Sequence, residues 1–568
     1  MKNLTLIDFF CGAGGFSEGF RQVGFRIVCG YDNWKPAIDT YNYNFGLNCT
    51  VKNVLDFKES IEEIEKLPDT DVILGSPPCV SFSSSNKSGK ADKTLGLELT
   101  EAYLRVVAVK KHKPNSNLKA WFMENVENSR KHLKDNYSFI DLNLGEWAIN
   151  NNINPETIAI DLLNNSDIIN SADYGSIQAR KRAIYGEIIS LGRFILPEKT
   201  NRSAKVQSNL PQYKSLKNLK EEFPTPFETK SDKLIKDPLY DILLKQDEIT
   251  DHFYDTGIYE FDWQNSKYLK TNHPYMGKMS FPENIENPSR TVTATKIANS
   301  RESLIYKTEI KRKGNGEYRT PTIREAAIIM GFPITYQFLG SENTKWRLVG
   351  NAVCSSVSRA LAKTVIEVQF PNSEINIINN EIVKPEGVIN LNTYTRKTFE
   401  KPPIRNKDSR FRRHPFKDGN MTIALSNFDI EKNDKNIDKW RVTVFYGTGE
   451  GFGIREYEEG YYNKIEESIK MNFKNGEKFI NHINHYLSDK VAGKKILQEM
   501  YENNKSINGF IEPTKLIEKV SEQINRFCTS DEQYVQNDLK IFTKNIVPKK
   551  QLYALYALNL IITITNNK

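Results

Sequence analysis

Residues 4–20, LTLIDFFCGAGGFSEGF, run from a β-prone apolar segment through a glycine turn into helical spacing. A strand, a Gly-rich turn and a helix in that order open a nucleotide-binding α/β unit. Glycines let the backbone pass close under a ligand, and the helix start offers free N–H groups to an anion. The GxGG pattern also fits an ordinary tight βα turn. A second strand, FRIVCGY, ends at Asp32, about 20 residues past the glycines, where an acid can hold ribose hydroxyls. TVKNV reads as a third short strand, with Asn53 and Asp56 as polar candidates near an adenine ring.

The next strand lies in DVILGSPPCVSFS, residues 71–83. Its apolar run stops at Gly75, and Pro77 and Pro78 stiffen the exit from the sheet before Cys79. Open α/β sheets place their chemistry at this edge. A cysteine so presented fits a nucleophile, but taken alone it reads first as a small buried apolar residue, the usual role of a free cysteine. The run that follows, SFSSSNKSGKADK, is too polar for core and reads as a loop: a connector, or a mobile lid. KAWFMENV ends a further strand at Glu124 and Asn125. QARKR then sets Arg180 and Arg182 on one face of an extended segment.

Composition narrows the class. The 568 residues allow about two to four domains. With 26% charged residues and no apolar run near the roughly 20 that a span requires, no membrane segment is expected. Six cysteines without a CxxC pair argue against zinc or a disulfide framework and for a reducing cytoplasm. A net charge of +8 permits nucleic acid as a partner without requiring it. Strand and helix alternation fades between about 191 and 286, where aromatics mix with Lys, Asn and Pro. PSRTVTA, TIREAAIIMGFP and WRLVGNAV then restore order. After about Phe370 an Arg- and Lys-rich, Pro-containing stretch reads as a linker, and a second α+β segment starts near Met421. LYALYALNLIITI there fits a buried helix or strand.

Over residues 1–370 these motifs resemble the cytosine-5 DNA methyltransferase family, in its order and at plausible spacings. DFFCGAGGFSEGF resembles the cofactor loop, GSPPCVSFS the Pro-Cys motif, MENV the Glu-Asn-Val motif and QARKR the Gln-x-Arg-x-Arg motif. REAAIIMGFP and LVGNAV resemble the closing stretches. The resemblance implies a doubly wound, mostly parallel sheet that binds S-adenosyl-L-methionine, with an inserted target-recognition domain and an additional α+β C-terminal domain. The implied division is a catalytic domain over 1–190, a target-recognition domain over 191–290, and its end with the return to the catalytic domain over 291–370. A basic linker over 371–420 and a C-terminal domain over 421–568 follow.

By residue, the resemblance implies catalytic roles for Cys79, Glu124, Arg182, Arg180, Asn125 and Pro78. It implies cofactor contacts for Phe10, Gly12, Gly14, Gly15, Phe16, Asp32, Asn53, Val54, Ser76, Asn351 and Val353, with Phe16 stacking near the adenine. Ser81, Ser83, Ser84, Ser85 and Lys87 belong to the loop that closes over DNA, and no metal is implied. This chain departs from the family in having Asp32 for Glu, Asn53 for Asp, Cys354 for Pro, and GSIQ for Gly-Val-Pro-Gln. The expected activity is methylation of carbon 5 of cytosine in a specific double-stranded DNA sequence, through a Cys79 adduct and base flipping. The expected setting is a cytoplasmic monomer in a restriction–modification system. The rivals are a tRNA-directed branch, whose Cys-Phe-Thr signature is absent, and a non-catalytic DNA-binding relative. No HNH or PD…ExK pattern stands in the C-terminal segment.

Overall fold

The computed structural model describes residues 4–78, 93–228, 233–237, 239–272, 277–371, 391, 413–418, 421–427, 440–446, 454–455, 457, 459–503, 507, 509–528, 533–535 and 546–568. Cys79, Ser81, Ser83, Ser84, Ser85 and Lys87 lie outside the described residues. The chain divides into two compact units, Met1–Pro402 and Pro403–Lys568.

In the first unit the strands are β1 (Thr5–Phe9), β2 (Arg26–Tyr31), β3 (Val72–Gly75), β4 (Ala120–Asn125), β5 (Asn136–Ser138), β6 (Ile158–Asp161), β7 (Ser166–Asn170) and β8 (Lys181–Ile188). Six of them form one sheet in the order β2-β1-β3-β4-β8-β7, and β5 pairs with β6. The pairings from β2 to β4 are parallel, and β8 runs antiparallel to both of its neighbours. Alternate residues of the central strands feed two cores. Ile7, Phe9, Ile73, Trp121 and Met123 pack on one face, and Leu6, Val72, Leu74, Ala120 and Phe122 on the other. A strand buried on both faces has no polar side to show, which is why these segments read as continuous apolar runs.

The helix Lys93–His112 covers the first face, where Tyr103 donates its hydroxyl to the Phe122 carbonyl at 2.8 Å. The second face is covered by α1 (Gly15–Arg21) and by the distant helix Ser355–Gln369. These two helices touch closely: Ser358 Oγ donates to the Phe16 carbonyl, and a Cβ on Gly19 would strike Ser355 and Arg359 backbone. Parallel register aligns Phe9 with Tyr31 and Gly75, and Gly75 with Met123. Phe10, Asp32 and Ser76, which leave these strands, and Glu124, near the end of β4, therefore converge on one edge.

Residues 50–54 form no strand; the Lys52 N–H instead reaches back to the Asp32 carbonyl at 3.0 Å. The β-branched composition of TVKNV is therefore overridden by the tertiary context, and a single backbone bond beside the end of β2 replaces a ladder.

His252 is a buried joint in this unit. Its Nδ1 meets Thr322 Oγ1 at 3.0 Å and its Nε2 meets the Pro224 carbonyl at 2.8 Å. Because Thr322 Oγ1 already accepts the Glu325 N–H, the neutral tautomer donating from Nε2 satisfies every group. Burial pushes this imidazole down to about 4. The stability it contributes is complete above the unfolded value near 6.5 and is lost as pH falls through about 4, on the order of 3 kcal/mol in all. Asp8 acts in the opposite sense, because burial lifts its carboxyl to about 7 and its contribution fades as pH rises through that value. Urea denaturation of wild type and His252→Gln at pH 7 and pH 4.5 separates the two. The gap between the proteins should shrink on acidification, and a constant gap would rule the account out.

In the second unit, among the described residues, Arg413–Asp418, Met421–Ser426, Arg441–Tyr446 and Ile454–Arg455 form an antiparallel sheet in chain order. The expected basic linker over 371–420 therefore ends earlier, since 413–418 is already a strand. Phe416 turns inward opposite Ile423 and is buried, and Pro415 is tolerated because this strand lies at the sheet edge. LYALYALNLIITI belongs to the helix Lys549–Asn567, which is buried almost all round through Leu558. GTGEGFG, residues 447–453, lies outside the described residues.

Candidate active site

Side chains at the converging strand ends line a cavity of about 1290 Å³. Phe10, Gly12, Asp32, Asn53, Val54, Ser76, Pro78, Glu124, Arg180, Arg182 and Asn351 all face it. Further wall comes from residues 288–295, which include Arg290 and Thr293, and from the helix Glu342–Asn351.

The glycine turn sets the floor. Gly14 has φ +88°, and a Cβ there would stand 2.7 Å from the Tyr336 hydroxyl and press on Phe45. The turn presents the Gly12 N–H to Asp32 Oδ2 at 3.0 Å, and Trp34 N–H donates to Asp32 Oδ1 at 2.8 Å. Asp32 is thus oriented by backbone on both oxygens, while burial pushes its carboxyl up. Ser76 ties the β3 exit to the β1 exit, donating from N to the Phe9 carbonyl at 3.0 Å and from Oγ to the Phe10 carbonyl at 2.9 Å. Asn125 Nδ2 donates to the Pro77 carbonyl at 3.4 Å, so the end of β4 braces the di-proline segment.

Glu124 and Arg182 meet directly, with Arg182 Nε 2.8 Å from Glu124 Oε1. Antiparallel register explains the meeting. Glu124 lies opposite Ile184, and Arg182 shares the Ile184 face two residues earlier. Arg180, by contrast, is 6% exposed and spends its guanidinium on carbonyls, Val292 at 3.1 Å and Gly350 at 3.4 Å. It stitches two walls of the cavity together. Gly350 allows the close approach those bonds need, since a Cβ there would overlap Thr293 backbone. Gly350→Ala is expected to cost about 1–3 kcal/mol through this overpacking, read as a lowered thermal midpoint. A variant as stable as wild type would contradict the close approach.

Several expected residues stand back from the cavity wall. Phe16 is 1% exposed and packs edge-on against Phe20 at 6.2 Å, so its expected stacking role is corrected. Phe10, at φ 55°, is the aromatic residue of this loop that faces the cavity. Gly15 and Val353 do not line it either. A Cβ on Gly15 would collide with the Val353 carbonyl, so the two mark where α1 meets the returning chain. Two departures from the expected motifs touch each other: the Cys354 thiol donates to Ser176 Oγ at 3.4 Å.

Sequence reasoning passed over Trp34 and Arg347. Both line the cavity, with the Arg347 guanidinium 4.4 Å from the centre of the Trp34 ring. Neither sits in a motif, and no local pattern joins them. Among the described residues no cluster of three His, Cys, Asp or Glu is placed to hold a metal. No described helix is long and apolar enough to cross a membrane.

The family description "C-5 cytosine-specific DNA methylase" matches residues 4–367, well over half of the chain. The chain belongs to that family. It is a DNA (cytosine-5-)-methyltransferase, and the residues lining the cavity all fall within the matched span. Similar proteins include the type II methyltransferase M.HindV of Haemophilus influenzae, 26% identical over 371 residues, covering 64% of this chain and 97% of that protein. M.HgiGI of Herpetosiphon aurantiacus is 41% identical over 129 residues, which is 22% of this chain and 94% of its own. A solved Entamoeba histolytica methyltransferase, EhMeth, aligns with 65% of this chain and 99% of its own at 17% identity and a TM-score of 0.38. The family match stops before the second unit begins.

Proposed function

We propose that this methylase transfers a methyl group from S-adenosyl-L-methionine to carbon 5 of a cytosine flipped out of a specific double-stranded DNA sequence, through a Cys79 adduct at carbon 6. One observation carries the reading. The Glu124–Arg182 pair shares a cavity with Asp32 and with the Pro77–Pro78 turn that leads straight into Cys79.

The residues fit the donor. An acid at the end of β2, held by two backbone N–H groups, is placed for a ribose diol. Phe10 and Val54 offer apolar surface beside the polar Asn53. The volume exceeds the roughly 300–1000 Å³ usual for one small ligand, leaving room for a second ring. The bound donor supplies an electrophilic methyl group on a sulfonium.

Carbon 5 of cytosine is a poor nucleophile. Cys79, as the thiolate, adds at carbon 6 and turns the ring into an enamine nucleophilic at carbon 5. The two prolines stiffen the chain that leads into Cys79, and Asn125 holds the Pro77 carbonyl. Glu124 hydrogen-bonds ring nitrogen 3 and the exocyclic amine, stabilising charge as the thiolate adds, and Arg182 orients Glu124. After transfer a base removes the carbon 5 proton and Cys79 leaves by elimination. A stacked cytosine cannot reach this recess, so it must leave the duplex. The Ser- and Lys-rich loop with Ser81, Ser83, Ser84, Ser85 and Lys87 closes over it, and residues 191–290 carry target recognition. Type II methyltransferases among the relatives support a restriction–modification setting.

Labelled donor incubated with duplex DNA or with transfer RNA tests the reading. Label should enter DNA at cytosines within one recurring sequence. Label entering RNA alone would overturn it.

A further inference from the structure

Arg347 is a cation facing a cavity with no assigned anion. It sits on the helix Glu342–Asn351, one turn before Asn351, so both residues share a face and both line the cavity. Its guanidinium lies 4.4 Å from the centre of the Trp34 ring. Among the described residues no carboxylate stands within 4.0 Å of it, although its charge is felt at Asp32. Contact with an indole face does not consume the N–H donors of a guanidinium.

The mounting is rigid at both ends. Trp34 caps α2 (Lys35–Phe45), and its own N–H is fixed on Asp32. The neighbouring Trp346 Nε1 donates to the Thr293 carbonyl at 2.9 Å, and Arg180 holds the Gly350 carbonyl. The one anionic group of S-adenosyl-L-methionine is its α-carboxylate, and a cation that lines the same cavity as Asp32 is the group that would receive it. Arg347 and Asn351 line that cavity together with Gly12. A planar carboxylate and a planar guanidinium form two parallel N–H···O bonds, a geometry a lysine cannot supply.

We propose that Arg347, steadied on Trp34, binds the α-carboxylate of the methyl donor and makes the site selective for donors that carry one. This rests on the donor assignment above, so the test first asks whether the wild type binds the donor at all.

The experiment is titration calorimetry of the full chain with S-adenosyl-L-methionine and with its decarboxylated analogue, for wild type, Arg347→Met and Arg347→Lys. Methionine keeps an apolar stem on Trp34 while removing the charge. Wild type should prefer the carboxylated donor by about 10- to 100-fold, the range of a charge-assisted bond. Arg347→Met should lose that preference, with its affinity for the decarboxylated analogue within about threefold of wild type. Arg347→Lys should fall between, because the charge remains and the fork does not. Equal weakening toward both ligands would overturn the proposal, as general damage to the site. Unchanged donor binding with a salt slope for duplex DNA reduced by about one would also overturn it, assigning the arginine to a phosphate. Failure of wild type to bind either ligand would instead overturn the donor assignment. Melting curves of each variant confirm folding.

Discussion

Cys79→Ala should bring methyl transfer to background, a loss on the order of 10⁴-fold or more, while donor affinity stays within about threefold. The asymmetry follows from the chemistry. Without an adduct at carbon 6 the aromatic ring does not attack a sulfonium methyl at a useful rate, so nothing substitutes for the thiolate. The side chain follows a turn of two prolines, and the alanine variant keeps that turn and its Asn125 brace. A second readout isolates the covalent step. Duplex DNA carrying 5-fluorocytosine presents a fluorine that no base can remove, so wild-type enzyme and donor should form a complex that survives denaturing electrophoresis. Cys79→Ala should form none. Methylation by the alanine variant at more than a few per cent of the wild-type rate would sink the mechanism.

Glu124→Gln is expected to lower kcat by about 10²- to 10³-fold with little change in donor affinity. Glutamine retains shape and one acceptor but offers an amide where the carboxylate meets Arg182 Nε at 2.8 Å. The charge that builds on the pyrimidine as the thiolate adds then loses its oriented partner. Arg182→Met acts through the same carboxylate, so the double variant should be much less impaired than the product of the two single losses. Rates from single-turnover labelling would show this. Fully multiplicative losses would mean that Arg182 does not work through Glu124.

The strand, glycine turn and helix of residues 4–20 were legible because the period of the apolar residues changes at Gly12, and the di-proline exit from β3 was equally plain. Glu124 and Arg182 were each legible as polar residues at strand ends. Their pairing was not, because it depends on β8 running antiparallel to β4, a tertiary choice. Phe16 was misplaced for a reason visible in the sequence. Phe16 and Phe20 stand four apart on one helix, the spacing of a buried stripe, and the helix presses both into the core. Asn53 reached the cavity although its segment is not a strand, since the loop alone carries it there. Trp34 and Arg347 left no trace, because a contact between remote residues outside any motif has no periodicity to betray it. The strand Arg413–Asp418 was masked by its proline and its basic residues, which an edge position accommodates.

The helix Ser355–Gln369 covers α1 although nearly the whole first unit separates them in the chain. A ribosome therefore releases the first two strands and α1 long before their covering partner exists. Phe16, Phe20 and the Gly19 groove must wait, exposed or chaperoned, until residue 369 has cleared the exit tunnel. The price of that order is slow, late closure, as expected when native contacts span hundreds of residues. Chains truncated before 355 should accumulate as insoluble material, and supplying 341–371 as a separate peptide should recover part of the folded enzyme.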